Sequence, residues 1–80
     1  MKVVSCEKIF DETIYELDTD EQVTLDLKYG YWEYEYGYNG FTYCSGSFRV
    51  EDGVVIDYDG VFSLPEAVMF CLSLNYKLDL

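Results

Sequence analysis

Val23-Thr24-Leu25-Asp26-Leu27-Lys28-Tyr29-Gly30-Tyr31-Trp32-Glu33-Tyr34-Glu35-Tyr36-Gly37-Tyr38 decides the fold class. Val23, Leu25, Leu27, Tyr29 and Tyr31 alternate with Thr24, Asp26 and Lys28, the period-two pattern of a strand with one buried face. After Gly30 the phase flips. Trp32, Tyr34, Tyr36 and Tyr38 form one face, and Glu33 and Glu35 stand opposite. A one-residue change of face beside a glycine predicts a β-bulge or a tight turn. Asn39-Gly40 then predicts a hairpin, because Asn-Gly is the preferred type I′ pair. The strand resumes at Phe41-Thr42-Tyr43-Cys44 and runs through Gly46 to Val50. Glu51-Asp52-Gly53 reads as a turn and Val54 to Tyr58 as another strand, which Asp59-Gly60 closes or kinks.

On the C-terminal side, Ser63-Leu64-Pro65-Glu66 reads as a capping box with proline in the first turn. Leu64, Val68, Cys71, Leu72 and Asn75 follow at helical spacing, which predicts a helix over 64–75. Its surroundings are apolar nearly all round, so it should lie against a sheet. On the N-terminal side two readings stay open. Phe10, Ile14 and Leu17 fit one helical stripe with Ser5 as cap, which is the preferred reading for residues 5–17. Thr13-Ile14-Tyr15-Glu16-Leu17 also fits a strand turning at Asp18-Thr19-Asp20. The expected fold class is α+β: an antiparallel sheet of three or four strands, a C-terminal helix (64–75) on one face, and an N-terminal helix if the first reading holds.

The chain has 80 residues, the size of a single domain. It carries 16 Asp and Glu against 5 Lys and Arg, has no His, and has a formal charge of −11. Half of it is hydrophobic and 19% aromatic, which excludes an acidic disordered tail. The longest apolar run, Ala67 to Leu72, is far short of the roughly 20 residues of a membrane span. Met1-Lys2-Val3-Val4 is interrupted by Ser5 and Glu7, so no secretory signal is read and a cytoplasmic location is expected. Cys6, Cys44 and Cys71 are odd in number and contain no C-x-x-C pair, which points to reduced, mostly buried thiols. A core of this size seldom supplies more than about 3–5 kcal/mol. Self-repulsion subtracts from that. Buried rings offset part of the loss, and homodimerisation would be another route to stability.

Chemistry is bounded by what is missing. Without His there is no ordinary Ser-His or Cys-His pair and no proton shuttle near neutral pH. No phosphate-binding P-loop occurs, and zinc would need a ligand from outside the three cysteines. Acids counted from Asp18 or from Asp57 fall out of calcium-loop register, since Val23 or Phe62 stands where glycine is needed. No catalytic residue, cofactor or metal is expected.

What stands out is the spacing of the acids. Glu16/Asp18/Asp20, Glu33/Glu35 and Asp57/Asp59 are i, i+2 series. On a strand such residues share a face at roughly 6.6–6.8 Å. A nucleic-acid strand carries a phosphate per roughly 3.4 Å, so these rows form a comparable line of charge at about half the density per strand. A plain wet face explains the alternation. It does not explain why Lys28 and Arg49 are nearly the only basic residues of the β region. The rings between residues 29 and 43 exceed what one small core can take, so some should reach the surface as anchors, with Tyr34 and Tyr36 the candidates beside the Glu33/Glu35 row. Direct binding of nucleic acid is disfavoured by charge, and no membrane partner is indicated. A basic nucleic-acid-binding protein or complex is the partner that fits.

In its small size, acidity and carboxylate rows (Glu33/Glu35 and Asp57/Asp59) the chain resembles the anti-CRISPR and anti-restriction proteins that phages make against host defence, many of them DNA mimics. These share no fold and no transferable site pattern. The resemblance implies a stoichiometric inhibitor, working in the host bacterial cytoplasm, that blocks the nucleic-acid site of a defence nuclease or CRISPR surveillance complex. Two other readings stay open: an immunity protein or antitoxin against a basic toxin, and a non-inhibitory interaction or structural module.

Overall fold

The deciding stretch folds as two strands, β3 (Glu21–Lys28) and β4 (Tyr31–Tyr38), joined by the two-residue turn Tyr29-Gly30. The phase flip is therefore a hairpin, and Tyr29 and Tyr31 do not continue the Val23/Leu25/Leu27 face. Tyr31 sits opposite Lys28, and Tyr29 stands in the turn. In the computed structural model, which describes residues 1–57 and 64–75, the other strands are β1 (Val3–Ile9), β2 (Glu12–Leu17), β5 (Phe41–Glu51) and β6 (Val54–Asp57). All six pair antiparallel in chain order, a meander. One helix follows, α1 (Glu66–Asn75).

The expectation of three or four strands is thus corrected to six, and the N-terminal helix over residues 5–17 does not form. Side-chain period is the reason. Thr13, Tyr15 and Leu17 are buried at every second position, which a strand can satisfy and a helix cannot. Phe10, which begins the apparent helical stripe, lies in the turn Phe10-Asp11 and is 94% exposed.

The buried face collects Tyr15 and Leu17 from β2, Val23 and Leu25 from β3, Tyr34 from β4 and Phe48 from β5. Ala67, Val68, Cys71 and Leu72 of α1 close over them, as the apolar character of the helix required. The helix begins at Glu66, with the Met69 N–H donating to the Pro65 carbonyl at 3.0 Å. The cap read at Ser63 lies outside the described residues. Phe48 stacks parallel to Trp32 at 6.1 Å and tilts against Tyr34 at 5.9 Å, which locks β5 to β4. Near its start β5 carries a bulge: Tyr36 faces Cys44 and Gly37 faces Thr42, so Tyr43 is the extra residue. Glycine is required at 37, because a Cβ there would run into the Phe41 carbonyl oxygen.

Four two-residue turns begin with a residue at positive φ: Phe10 (55°), Tyr29 (52°), Asn39 (49°) and Asp52 (54°). Asn and Asp tolerate this region; bulky aromatic residues rarely enter it. Phe10 and Tyr29 gain little packing in return, for both are about as exposed as a side chain can be. Tyr29→Asn and Phe10→Asn should each stabilise the fold by about 1 kcal/mol. Urea unfolding with an unchanged slope checks this; a lower midpoint for both variants would refute it.

The thiols are graded rather than mostly buried: Cys6 is exposed, Cys44 half-buried and Cys71 buried. Burial, with the Cys6 thiol adding to it, pushes the Cys71 thiol up to about 11. Cys6 should therefore react with a thiol reagent in the native state, and Cys71 only after denaturation. Mass spectrometry of native labelling checks the order; Cys71 labelled as fast as Cys6 would contradict the burial of α1.

Candidate functional site

The face of the sheet away from α1 is open, and the strand register decides what stands there. Residues directly opposite on neighbouring strands share a face at a strand separation of about 4.8 Å. One row across the sheet, starting beside the β1–β2 turn, reads Ile9, Glu12, Asp26, Glu33, Ser47. The next reads Glu7, Ile14, Thr24, Glu35, Ser45. Three carboxylates from β2, β3 and β4 therefore stand side by side, with Glu35 one step away. Like charges placed directly opposite oppose folding.

Lys28 is the local counter-charge. Its Nζ lies 3.3 Å from Asp26 Oδ2. The ammonium is held above its usual range by that hydrogen bond and by the charges of Asp26, Glu33 and Glu12. Asp26 Oδ1 is buried without a hydrogen-bond partner. Thr42 Oγ1 donates to Glu35 Oε1 at 2.8 Å, which steadies that carboxylate. Arg49, two residues beyond Ser47 on the same face, pairs with Glu51 at 3.0 Å. Between these residues lies a shallow depression of about 370 Å³, lined by Glu12, Asp26, Glu33, Glu35, Ser45 and Ser47 among others. Among the described residues no group of three or more His, Cys, Asp or Glu side chains converges as a metal site would require. The row is a line of charge and not a cage. No helix among the described residues is long and apolar enough to cross a membrane.

The sequence-derived candidates divide. Glu33 and Glu35 share the open face as expected, and Glu16 stands on it one row further, opposite Gln22. Asp18 and Asp20 do not extend the Glu16 row. They lie in the β2–β3 turn, where the strand ends and the i, i+2 rule with it. Asp18 Oδ1 accepts from the Lys2 backbone N–H at 3.3 Å, and Asp20 has φ 69°. Asp57 is the last residue of β6, opposite Phe48 in register; Asp59 lies outside the described residues. Tyr34 is corrected from surface anchor to core: it is 6% exposed and packs on Phe48. Tyr36 is half-buried on the same face, away from the carboxylate row. Glu12 and Asp26 went unread as site residues. Their signal was available in the Tyr29-Gly30 turn, since a two-residue loop sets Asp26 against Glu33 once the hairpin is recognised.

The crowding of carboxylates has a consequence for stability. Added salt should raise the melting temperature, with most of the gain by about 0.15 M, where the Debye length is about 8 Å. Sodium chloride and a choline salt should act alike. A flat response would show that the row is not self-repelling, and a response to sodium alone would show a specific ion.

Comparison with protein-family models, with curated proteins and with solved structures finds no match for this chain.

Proposed function

We propose that this chain is a stoichiometric protein inhibitor whose open sheet face occupies the nucleic-acid-binding site of a basic partner, a host-defence nuclease or CRISPR surveillance complex. The observation that carries the reading is the cross-strand row Glu12, Asp26, Glu33, with Glu35 beside it. A face shaped only for solubility gains by interleaving charges of both signs, whereas this one sets Glu12, Asp26 and Glu33 directly opposite each other, with Lys28 and Arg49 as basic residues at its edge. A basic groove supplies the missing cations and converts the repulsion into binding energy. Across strands the carboxylates repeat at about 4.8 Å and along a strand at roughly 6.6–6.8 Å, a line of charge at about half to two-thirds the density of the roughly 3.4 Å phosphate repeat of one nucleic-acid strand. The depression is shallow, which suits apposition of two surfaces better than enclosure of a substrate.

Affinity capture from a bacterial lysate, with and without nuclease treatment, tests the proposal. A basic nucleic-acid-binding complex should be recovered in both, and added DNA or RNA should displace it. A ternary complex in which nucleic acid and this chain occupy the partner together would sink the mimicry.

A further inference from the structure

A second surface lies on the other side of the sheet, at the end carrying the β4–β5 hairpin. Glu21, Tyr38 and Phe41 are opposite one another in register, on the face that α1 covers further along. The bulge turns Tyr43 out of the ladder and into a ring array. Tyr43 meets Tyr36 edge-on at 5.2 Å and Phe41 at 6.1 Å, at interplanar angles of 78° and 62°. The array is not core: Phe41 is 68% exposed and Tyr43 49%. Half-buried Glu21 stands opposite Tyr38 and within hydrogen-bond reach of the Tyr36 hydroxyl. Burial first, then a hydrogen bond to Glu21, pushes the Tyr36 hydroxyl up to about 12. The Tyr43 hydroxyl is raised chiefly by burial as well, with the Glu21 charge next. Thr19 Oγ1 donates to Glu21 Oε1 at 2.9 Å, so the carboxylate is held in place by its neighbours. Asp18 and Asp20 stand in the adjoining turn. The two ion pairs described above, Lys28–Asp26 and Arg49–Glu51, do not involve Glu21.

We propose that the Tyr36–Tyr43–Phe41 array and the Glu21 carboxylate form a docking patch for an arginine side chain presented by a partner protein. Exposed ring faces attract a cation, and a planar guanidinium stacks on them while its N–H fork reaches a carboxylate. An ammonium is more strongly hydrated and cannot stack in this way. The rings alone would also suit nucleobases, but Asp18, Asp20, Glu21 and a net charge of −11 repel the phosphates that come with them. A cationic peptide segment is the occupant that both the rings and the charge accept. The patch adjoins the open carboxylate face at the β4–β5 hairpin, where Phe41 and Glu35 line one depression, but its rings and Glu21 are other residues and it does not depend on the inhibitor reading.

The test is a titration of the isotope-labelled full chain with hexa-arginine and with hexa-lysine, followed by amide NMR. Hexa-arginine should shift Glu21, Tyr38, Phe41 and Tyr43, and hexa-lysine should bind there about fivefold more weakly or worse. The double variant Phe41→Leu, Tyr43→Leu keeps apolar bulk and removes the ring faces. With native amide dispersion it should lose about fivefold in affinity for hexa-arginine at this patch. Glu21→Gln serves as a second variant with the same expectation. Glu7→Gln, on β1 at the far side of the sheet, should leave the patch response intact. Equal binding of the two peptides, shifts confined to Glu12, Asp26 and Glu33, or an unaffected leucine variant would each overturn the proposal.

Discussion

Phe48→Ala is expected to leave most of the chain unfolded. Phe48 is fully buried, stacked on Trp32 and tilted on Tyr34, and it joins β5 to the strand pair that α1 covers. Emptying such a site removes the transfer energy of the ring and leaves a cavity, at about 3–5 kcal/mol. A core of this size supplies about the same amount in total. Self-repulsion at −11 leaves no reserve to absorb the loss. Phe48→Leu keeps much of the volume and should retain a cooperative transition at a lower midpoint. Urea unfolding followed by circular dichroism checks both. An alanine variant that unfolds cooperatively within about 1 kcal/mol of the parent would mean that this ring stack does not hold β5.

The second large effect is on binding and spares the fold. Glu12→Gln, Glu33→Gln and Glu35→Gln together keep size and strand alternation while removing three negative charges from the open face. Asp26 is left to its pair with Lys28. Folding stability should stay within about 0.5 kcal/mol of the parent for each exchange, on the favourable side where repulsion across strands is relieved. Affinity for the captured basic partner should fall by at least about thirtyfold, because removing one member of a desolvated charge pair costs about 2–5 kcal/mol. Charges at the rim should instead slow association and flatten its salt dependence. The comparison variant is Asp18→Asn with Asp20→Asn, which removes two acids from the turn and none from the rows. It should lose little. If the turn variant weakens binding as much as the row variant, net charge and not the arrangement of the row is what the partner reads.

Much of this was legible in the chain itself. Alternation at Val23/Leu25/Leu27 and at Trp32/Tyr34/Tyr36 assigned those residues to the covered face, and it set Glu33 and Glu35 on the other. Asn39-Gly40 marked its hairpin, and the apolar surround of Val68, Cys71 and Leu72 marked the helix that lies on the sheet. These features are local, because strand period, turn chemistry and helical spacing are each written within a few residues. Residues 5–17 were misread for the same reason. Phe10, Ile14 and Leu17 satisfy a helical stripe as well as Thr13, Tyr15 and Leu17 satisfy a strand, and only pairing with β3 separates the two. Tyr34 was legible as an aromatic beside two acids, yet its place against Phe48 depends on a strand fourteen residues further on. The carboxylate row is the clearest case. Composition and spacing established an acidic, ring-rich sheet with Glu33 and Glu35 on the face opposite the rings. That Glu12, Asp26 and Glu33 stand shoulder to shoulder is a property of register, and register arises only when three strands share hydrogen bonds and bury one common face.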